Sequence, residues 1–271
     1  SAKASSSISQ DFSRKDSLRG SLTPLRSCYD VTYYDLFLII DEKQQKIHRS
    51  YNEIYFIAKE DFSSLQLDLF ANMNLLSIEF EGQRLNYTRE LGAIFIDFPR
   101  KIHRNEYLRF KVWYDGYPRK AVNPPWDGGF SWDRDKNNNP WIGVSCQGLG
   151  ASSWWPCKDH QSDEPDSMSV TISVRHPLKV VSNGNLRSEE FLWNDDMQDS
   201  VVQSEWFVSY PINNYGVSIN IGDYIHFSDS YVDQEDTLDL SYYVLSYNKN
   251  KAELHFKQVI PMLKCFEDLF G

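Results

Sequence analysis

The sequence predicts an all-β protein, an antiparallel or mixed β-sandwich followed by one C-terminal helix. Three observations lead there. From Tyr29 to about Tyr224 the dominant hydrophobic period is two, the spacing of a pleated strand. The apolar segments are short, recur every ten to twenty residues or about that, and end in polar or glycine-containing turns with no helical pattern between them. In Lys251 to Phe270 the spacing changes to three and four, which is helical.

In chain order, Val31, Tyr33 and Asp35 alternate with Tyr34, Leu36 and Leu38; Ile54 to Ile57, Leu65 to Leu69, Leu75 to Phe80 and Ile94 to Ile96 follow. Tyr107 to Tyr114, Met168 to Val174, Lys179 to Ser182, Val201 to Val208 and Val217 to Ile221 continue the series. The helix would carry Leu254, Val259, Met262, Leu263, Phe266, Leu269 and Phe270 on one face, with Asn248 or Asn250 as N-cap. Such a helix draws most of its stability from packing, so that face should lie on the sandwich or on a neighbour. Residues 118–150, rich in Asn, Asp, Gly, Pro and Trp, form the least regular stretch and read as a long functional or interface loop.

Composition narrows the function. With 271 residues, 41% of them hydrophobic, and eight Trp, sixteen Tyr and sixteen Phe, the chain can bury a large core. The formal charge of −10 is dispersed, and no Lys/Arg-dense face adjoins an aromatic platform, so nucleic acid is not an expected partner. No apolar run approaches the roughly 18 residues a membrane-spanning helix needs, so no such span is expected. Residues 1–26, Ser-rich with interspersed Lys and Arg, read as a flexible leader, and an exported parent protein, periplasmic or extracellular, is expected. Cys28, Cys146, Cys157 and Cys265 are too scattered for a disulfide scaffold. Cys146 and Cys157 could bridge only if their strands adjoin; otherwise they are buried thiols, the reading preferred.

The most informative stretch is Ser145 to Pro165, SCQGLGASSWWPCKDHQSDEP, followed by a strand and then Val180-Val181-Ser182-Asn183-Gly184. Gln147 stands nine residues ahead of the pair Pro156-Cys157, and Asp163-Glu164-Pro165 makes an acidic turn. Upstream, Tyr34-Asp35-Leu36, Leu67-Asp68-Leu69, Tyr114-Asp115-Gly116 and Gly128-Gly129-Phe130 occur in that order. Together these residues resemble the N-terminal domain of the M1-family zinc aminopeptidases, the aminopeptidase N and leukotriene A4 hydrolase type, over nearly the whole stretch from Tyr33 to Gly271.

The resemblance implies a saddle-like β-sandwich over residues 27–250, with residues 251–271 as the first helix of a catalytic domain that is otherwise absent. It implies that Gln147 reaches into the catalytic cleft and accepts a hydrogen bond from the free α-ammonium of a peptide substrate. Chains without a free N-terminus would then bind less well, because a buried unpaired group is costly. It implies a zinc ion and an HExxH motif in the absent domain; this chain has no HExxH, so no cofactor and no catalytic residue are expected within it. The expected partners are the substrate's N-terminus and the protein's own catalytic domain. The chain departs from the family pattern at Ser152-Ser153, where an Arg is usual, and in the spacing that leaves either Asp159 or Asp163-Glu164-Pro165 as the acidic turn.

Other signals are weaker. Asp133, Asp135, Asn137 and Asn139 alternate oxygen donors, but Asn138 and Val144 stand where an EF-hand needs Gly and Glu, so a solvated turn is expected. The six His never fall at i and i+4; His160, among Asp159, Asp163 and Glu164, would stay protonated if those carboxylates approach it. Asn86-Tyr87-Thr88 fits a glycosylation acceptor. A second reading from another class is a β-sandwich module binding carbohydrate or protein through Trp126, Trp132, Trp141, Trp154 and Trp155. Exposure of those indoles separates the two.

Overall fold

The computed structural model describes residues 12–146, 148–233 and 236–270. Two short helices, α1 (Arg14–Gly20) and α2 (Pro24–Ser27), lead into β1 (Tyr29–Asp41), β2 (Lys46–Ala58), β3 (Phe62–Asp68), β4 (Met73–Phe80), β5 (Gln83–Arg84), β6 (Asn86–Glu90), β7 (Ala93–Ile102) and β8 (Tyr107–Gly116). Then come β9 (Gly129–Arg134), β10 (Pro140–Ser145), β11 (Ser167–Arg175), β12 (Lys179–Ser182), β13 (Asn185–Asn194), β14 (Asp199–Val208) and β15 (Ile219–Gly222). A ribbon, β16 (Tyr224–Asp233) and β17 (Asp236–Leu245), precedes α3 (Lys249–His255) and α4 (Val259–Phe270).

The main sheet runs β13-β14-β11-β1-β2-β8-β4-β5, antiparallel except where β1 pairs with β11. Period-two patterning places it. In β1, Tyr34, Leu36, Leu38 and Ile40 point inward and are fully buried, whereas Tyr33, Asp35 and Phe37 on the other face are half-buried. A slip of one residue would exchange those faces, so the register is strongly specified. The inner face meets a three-stranded sheet, β3-β7-β6, through Phe56, Phe62, Phe98 and Phe110, whose rings pack at centroid distances of 5.8–6.4 Å. A four-stranded sheet, β12-β15-β10-β9, adds Phe130, Ile142, Ile219 and Ile221 to the same continuous core. The hairpins β4-β5 and β6-β7 turn on Glu81-Gly82 and Leu91-Gly92, with positive φ at both positions, the twist that suits a two-residue turn.

At the far end of β1, the Arg175 guanidinium grips Asp41 with both forks, at 2.6 and 3.1 Å, and also reaches Glu42 and Asp199, each at 3.0 Å. Burial pushes the Asp41 carboxyl up, but Arg175, the Gln44 N–H and His48 outweigh it and hold the group well below the usual carboxylate range. That contribution is present above the unfolded carboxylate range and is lost as pH falls through the depressed value.

The architecture agrees with the sequence in class, and several elements depart from it. The Ser-rich start is not a leader throughout: from Ser13 on it is α1 and α2, with Leu18 and Arg26 buried. The stretch 118–150 contains the hairpin β9-β10, whose tip is closed by the Asp135 carboxylate accepting from the N–H groups of Asn137 and Asn139 at 2.8 Å. The tip is an Asx turn, as a turn was expected, but it is not solvated throughout: Asp135 itself is buried while its neighbours Arg134, Lys136, Asn137 and Asn138 are exposed. Strand β13 escapes a periodicity reading because it is exposed on both faces. The C-terminal helix is divided by a 3-10 turn at Phe256–Gln258, Asn248 sits at the N-cap without a side-chain capping bond, and Asn250 lies inside the helix. Its apolar face does not lie on the sandwich. Contact is through Phe256, which packs on Phe227 and Tyr242 of the ribbon, and through Glu267, which accepts from the Tyr231 hydroxyl, leaving Met262, Phe266, Leu269 and Phe270 exposed.

Candidate functional site

Between β10 and β11 the chain makes a turn, a buried crossing and a second turn, and this is the 145–165 segment singled out by its sequence. The turn is tight: the N–H groups of Leu149 and Gly150 both donate to the Cys146 carbonyl, at 3.0 and 2.9 Å, with Gly148 and Gly150 at positive φ. Gly150 has φ +87°, and a Cβ there would stand 2.2 Å from a carboxylate oxygen of Asp159. That same oxygen accepts from the backbone N–H and the hydroxyl of Ser152, at 3.0 and 2.5 Å. Gly150→Ala is therefore expected to lower stability by about 1–3 kcal/mol from backbone strain alone, read by urea unfolding. Unchanged stability would mean that the turn is looser than described.

The crossing is buried. Trp154 packs edge-on to Phe130 at 5.8 Å and Trp155 edge-on to Tyr34 at 5.1 Å. The Pro156 carbonyl accepts from Asn52, and Cys157 forms a two-bond bridge with Asp68 of β3, at 2.9 and 3.1 Å. The Asp68 side chain then collects Arg26 at 2.6 Å, Gln66 at 3.0 Å and the Asp159 N–H at 3.1 Å. On the other flank the Lys158 ammonium donates to the Tyr29 carbonyl at 2.7 Å and stands 3.2 Å from Asp163, whose second oxygen accepts from Tyr34 and Asn214. Buried charges are thus paired and hydrogen-bonded, which such groups require.

The fold brings together Tyr34, Asp68, Gly150, Trp155, Cys157 and Asp163, residues far apart in sequence that carry the family resemblance. Gly128 precedes β9 and Gly129 begins it: a Cβ on Gly128 would stand 2.1 Å from the Ser145 carbonyl of β10, and one on Gly129 2.4 Å from the Arg119 carbonyl, so the first permits close approach to β10 and the second close approach of residues 119–121. Gln147 lies outside the described residues. Its neighbours Cys146 and Gly148 border a cleft of about 650 Å³ that is also lined by Asp16, Arg19, Asp159 and Tyr215. The Arg19 guanidinium donates to the Gly148 carbonyl at 2.6 Å.

Electrostatics describes a scaffold more than a reacting centre. Burial pushes the Asp68 carboxyl up to about 6 in spite of Arg26, and raises Asp163 in spite of Lys158. Burial also pushes the Cys146 thiol up to about 11 and raises the Cys157 thiol well above its ordinary value, so neither is a thiolate nucleophile near neutral pH. All four cysteines are free thiols. His160 is a correction: burial first, then Arg26 and Lys158, outweigh its carboxylate neighbours and lower its pKa, so the ring is held neutral rather than protonated. Among the described residues no three His, Cys, Asp or Glu side chains converge to hold a metal ion, and the donors here do not fit zinc.

Sequence reasoning missed Arg26, Lys158 and Asn214. Lys158 directly follows the Pro-Cys pair and could have been noticed. Arg26 could not, because it sits in a Ser-rich segment 42 residues before its partner. The indole platform of the second reading is dismantled: Trp154 and Trp155 are core residues, Trp132 is half-buried and stacked on Phe130, and only Trp126 and Trp141 are exposed.

No family model matches the chain, and no curated protein matches it in sequence. Solved structures do match in fold. An M1 zinc metallopeptidase from Deinococcus radiodurans superimposes with a TM-score of 0.66 at 17% identity, covering 80% of this chain and 48% of that one. A mutant of the Deinococcus radiodurans enzyme bound to a Tyr-Ser-Ala substrate, and a two-domain M1 zinc metallopeptidase mutant bound to L-tryptophan, give the same TM-score and coverage at 18% identity. The fold is thus of the M1 metallopeptidase class. More narrowly, it is the mostly-β fold of the M1 N-terminal domain, and the chain spans about half the length of the structures it matches.

Proposed function

We propose that this chain is the N-terminal domain of a zinc metallo-aminopeptidase that removes N-terminal residues from peptides. The observation that carries the reading is the 145–165 segment, anchored on both flanks by buried ion pairs and turning at residues 146–150 beside an open cleft, in a fold shared with M1 zinc metallopeptidases. Such anchoring is what a domain needs if one side chain is to meet a substrate at fixed geometry. In this reading Gln147 accepts a hydrogen bond from the substrate α-ammonium, and the turn forms part of one wall of the cleft. In this reading residues 251–271 begin the next domain, whose surface covers Met262, Phe266, Leu269 and Phe270, which are exposed here. That domain would hold the zinc ion, which when bound would supply an activated water.

The test uses the natural full-length protein. Hydrolysis of amino-acid p-nitroanilides should vanish on chelation and return with zinc. Gln147→Ala should raise KM for peptides with a free N-terminus and reduce discrimination against acetylated ones by about tenfold, one lost hydrogen bond to a charged group. Hydrolysis insensitive to chelators would end the reading, and discrimination unaltered by the substitution would remove Gln147 from it.

A further inference from the structure

A cavity of about 270 Å³ lies beneath α1; it shares Arg19 and Asp159 with the cleft beside the 146–150 turn, and its other lining residues do not border that cleft. Its interior is apolar on one side, with Leu18, Phe70 and Ala93, and its mouth is marked by the exposed Lys15 and Leu91. Three cations line it, Lys15, Arg19 and Arg26, against two carboxylates, Asp68 and Asp159. Both carboxylates are already engaged, Asp68 by Arg26 and Gln66 and Asp159 by Ser152. The cations are less fully used. Arg19 spends one nitrogen on the Gly148 carbonyl and its guanidinium lies over the Phe70 ring at 5.7 Å, so that a carboxylate would meet its remaining N–H groups beside that ring, and Lys15 forms no ion pair among the described residues. Arg26 is wholly buried, and its Nε finds no partner among the described residues. The cavity is therefore a locally positive spot in a chain of formal charge −10.

We propose that this cavity binds a small amphipathic monocarboxylate, its apolar body against Leu18, Phe70 and Ala93 and its carboxylate toward Arg19 and Lys15. Size and charge together select that class. The volume equals roughly nine waters at about 30 Å³ each, enough for a benzene ring on a short chain. A neutral apolar molecule would leave the cations unanswered, and an amine would face three of them. Guanidinium pairs bidentately with carboxylate, which favours that anion over a halide.

Titration calorimetry on this chain should show saturable one-to-one binding of 3-phenylpropanoate and at least tenfold weaker binding of 3-phenylpropylamine. Leu91→Trp, at an exposed position on the mouth, should weaken the carboxylate at least tenfold by filling the entrance. Lys15→Glu, a surface change that leaves the fold intact, should weaken it about fivefold and narrow the preference over the amine. Absence of saturable binding, equal affinity for the amine, or indifference to both substitutions would overturn the proposal. None of these readouts depends on peptidase activity, so the peptide reading can fail while this one stands, and the reverse.

Discussion

Arg26→Met is expected to lower the unfolding free energy by about 3–5 kcal/mol at pH 8, the cost of leaving one member of a buried ion pair without the other. Arg26 is fully buried, and its forks hold the Arg19 and Ser21 carbonyls, at 3.0 and 2.8 Å, as well as Asp68 at 2.6 Å. The loss should depend on pH, and its sign follows from Asp68. Burial pushes that carboxyl up to about 6, above the ~4 of an unfolded chain. A carboxyl raised on folding contributes stability that is complete below about pH 4 and is lost as pH rises through about 6. Without Arg26 the carboxyl rises further, so the destabilisation should be distinctly smaller at pH 5 than at pH 8. Asp68→Asn should cost a similar amount with a flatter pH profile, because the guanidinium it strands does not titrate. Replacing both partners, Arg26→Met with Asp68→Leu, should recover most of the loss. Urea unfolding at pH 5 and pH 8 reads all four proteins, and equal losses at the two pH values would refute the assignment of Asp68.

Trp155→Ala is expected to cost about 3–5 kcal/mol and to loosen the whole 145–165 crossing. The indole is fully buried and meets Trp154 at 5.9 Å and Tyr34 at 5.1 Å, and Tyr34 in turn donates to Asp163. Removing the ring frees Tyr34 from one side and so weakens the position of Asp163 and Lys158. Trp155→Phe should cost much less, since it retains an aromatic ring in the same place. Hydrogen exchange supplies a second measurement: amides of Trp154 to Asp159 should lose protection in the alanine variant more than amides in the centre of the main sheet. Uniform loss everywhere would show only global destabilisation.

The strands of the main sheet were legible because one face is buried and the other is not; Tyr34, Leu36, Leu38 and Ile40 announce β1 by themselves. The 145–165 segment was legible by its residue types, and its Trp, Pro, Cys and Asp do lie together. Strand β13, with both faces in solvent, carries no alternation to read. The hairpin β9-β10 was hidden behind loop-forming residues, since Gly128 serves close approach to Ser145 of β10 and Gly129 close approach to the backbone of residues 119–121 rather than irregularity. His160 was misjudged because its acidic neighbours in sequence are visible, whereas the burial and the distant Arg26 that oppose them are not.

By itself the sequence determined the class of fold, the core faces of its long strands and the segment on which the proposed function rests, because hydrophobic period and local residue type act over a few neighbouring positions. Only the tertiary structure decided that α1 and α2 form within residues 12–27, that Arg26 seals Asp68, and that a cavity remains beneath α1. Those features depend on pairs such as residues 26 and 68, or 19 and 148, brought within 3 Å by sheet packing. No local pattern encodes such distances, because they follow from the summed burial of the core that draws the sheets together.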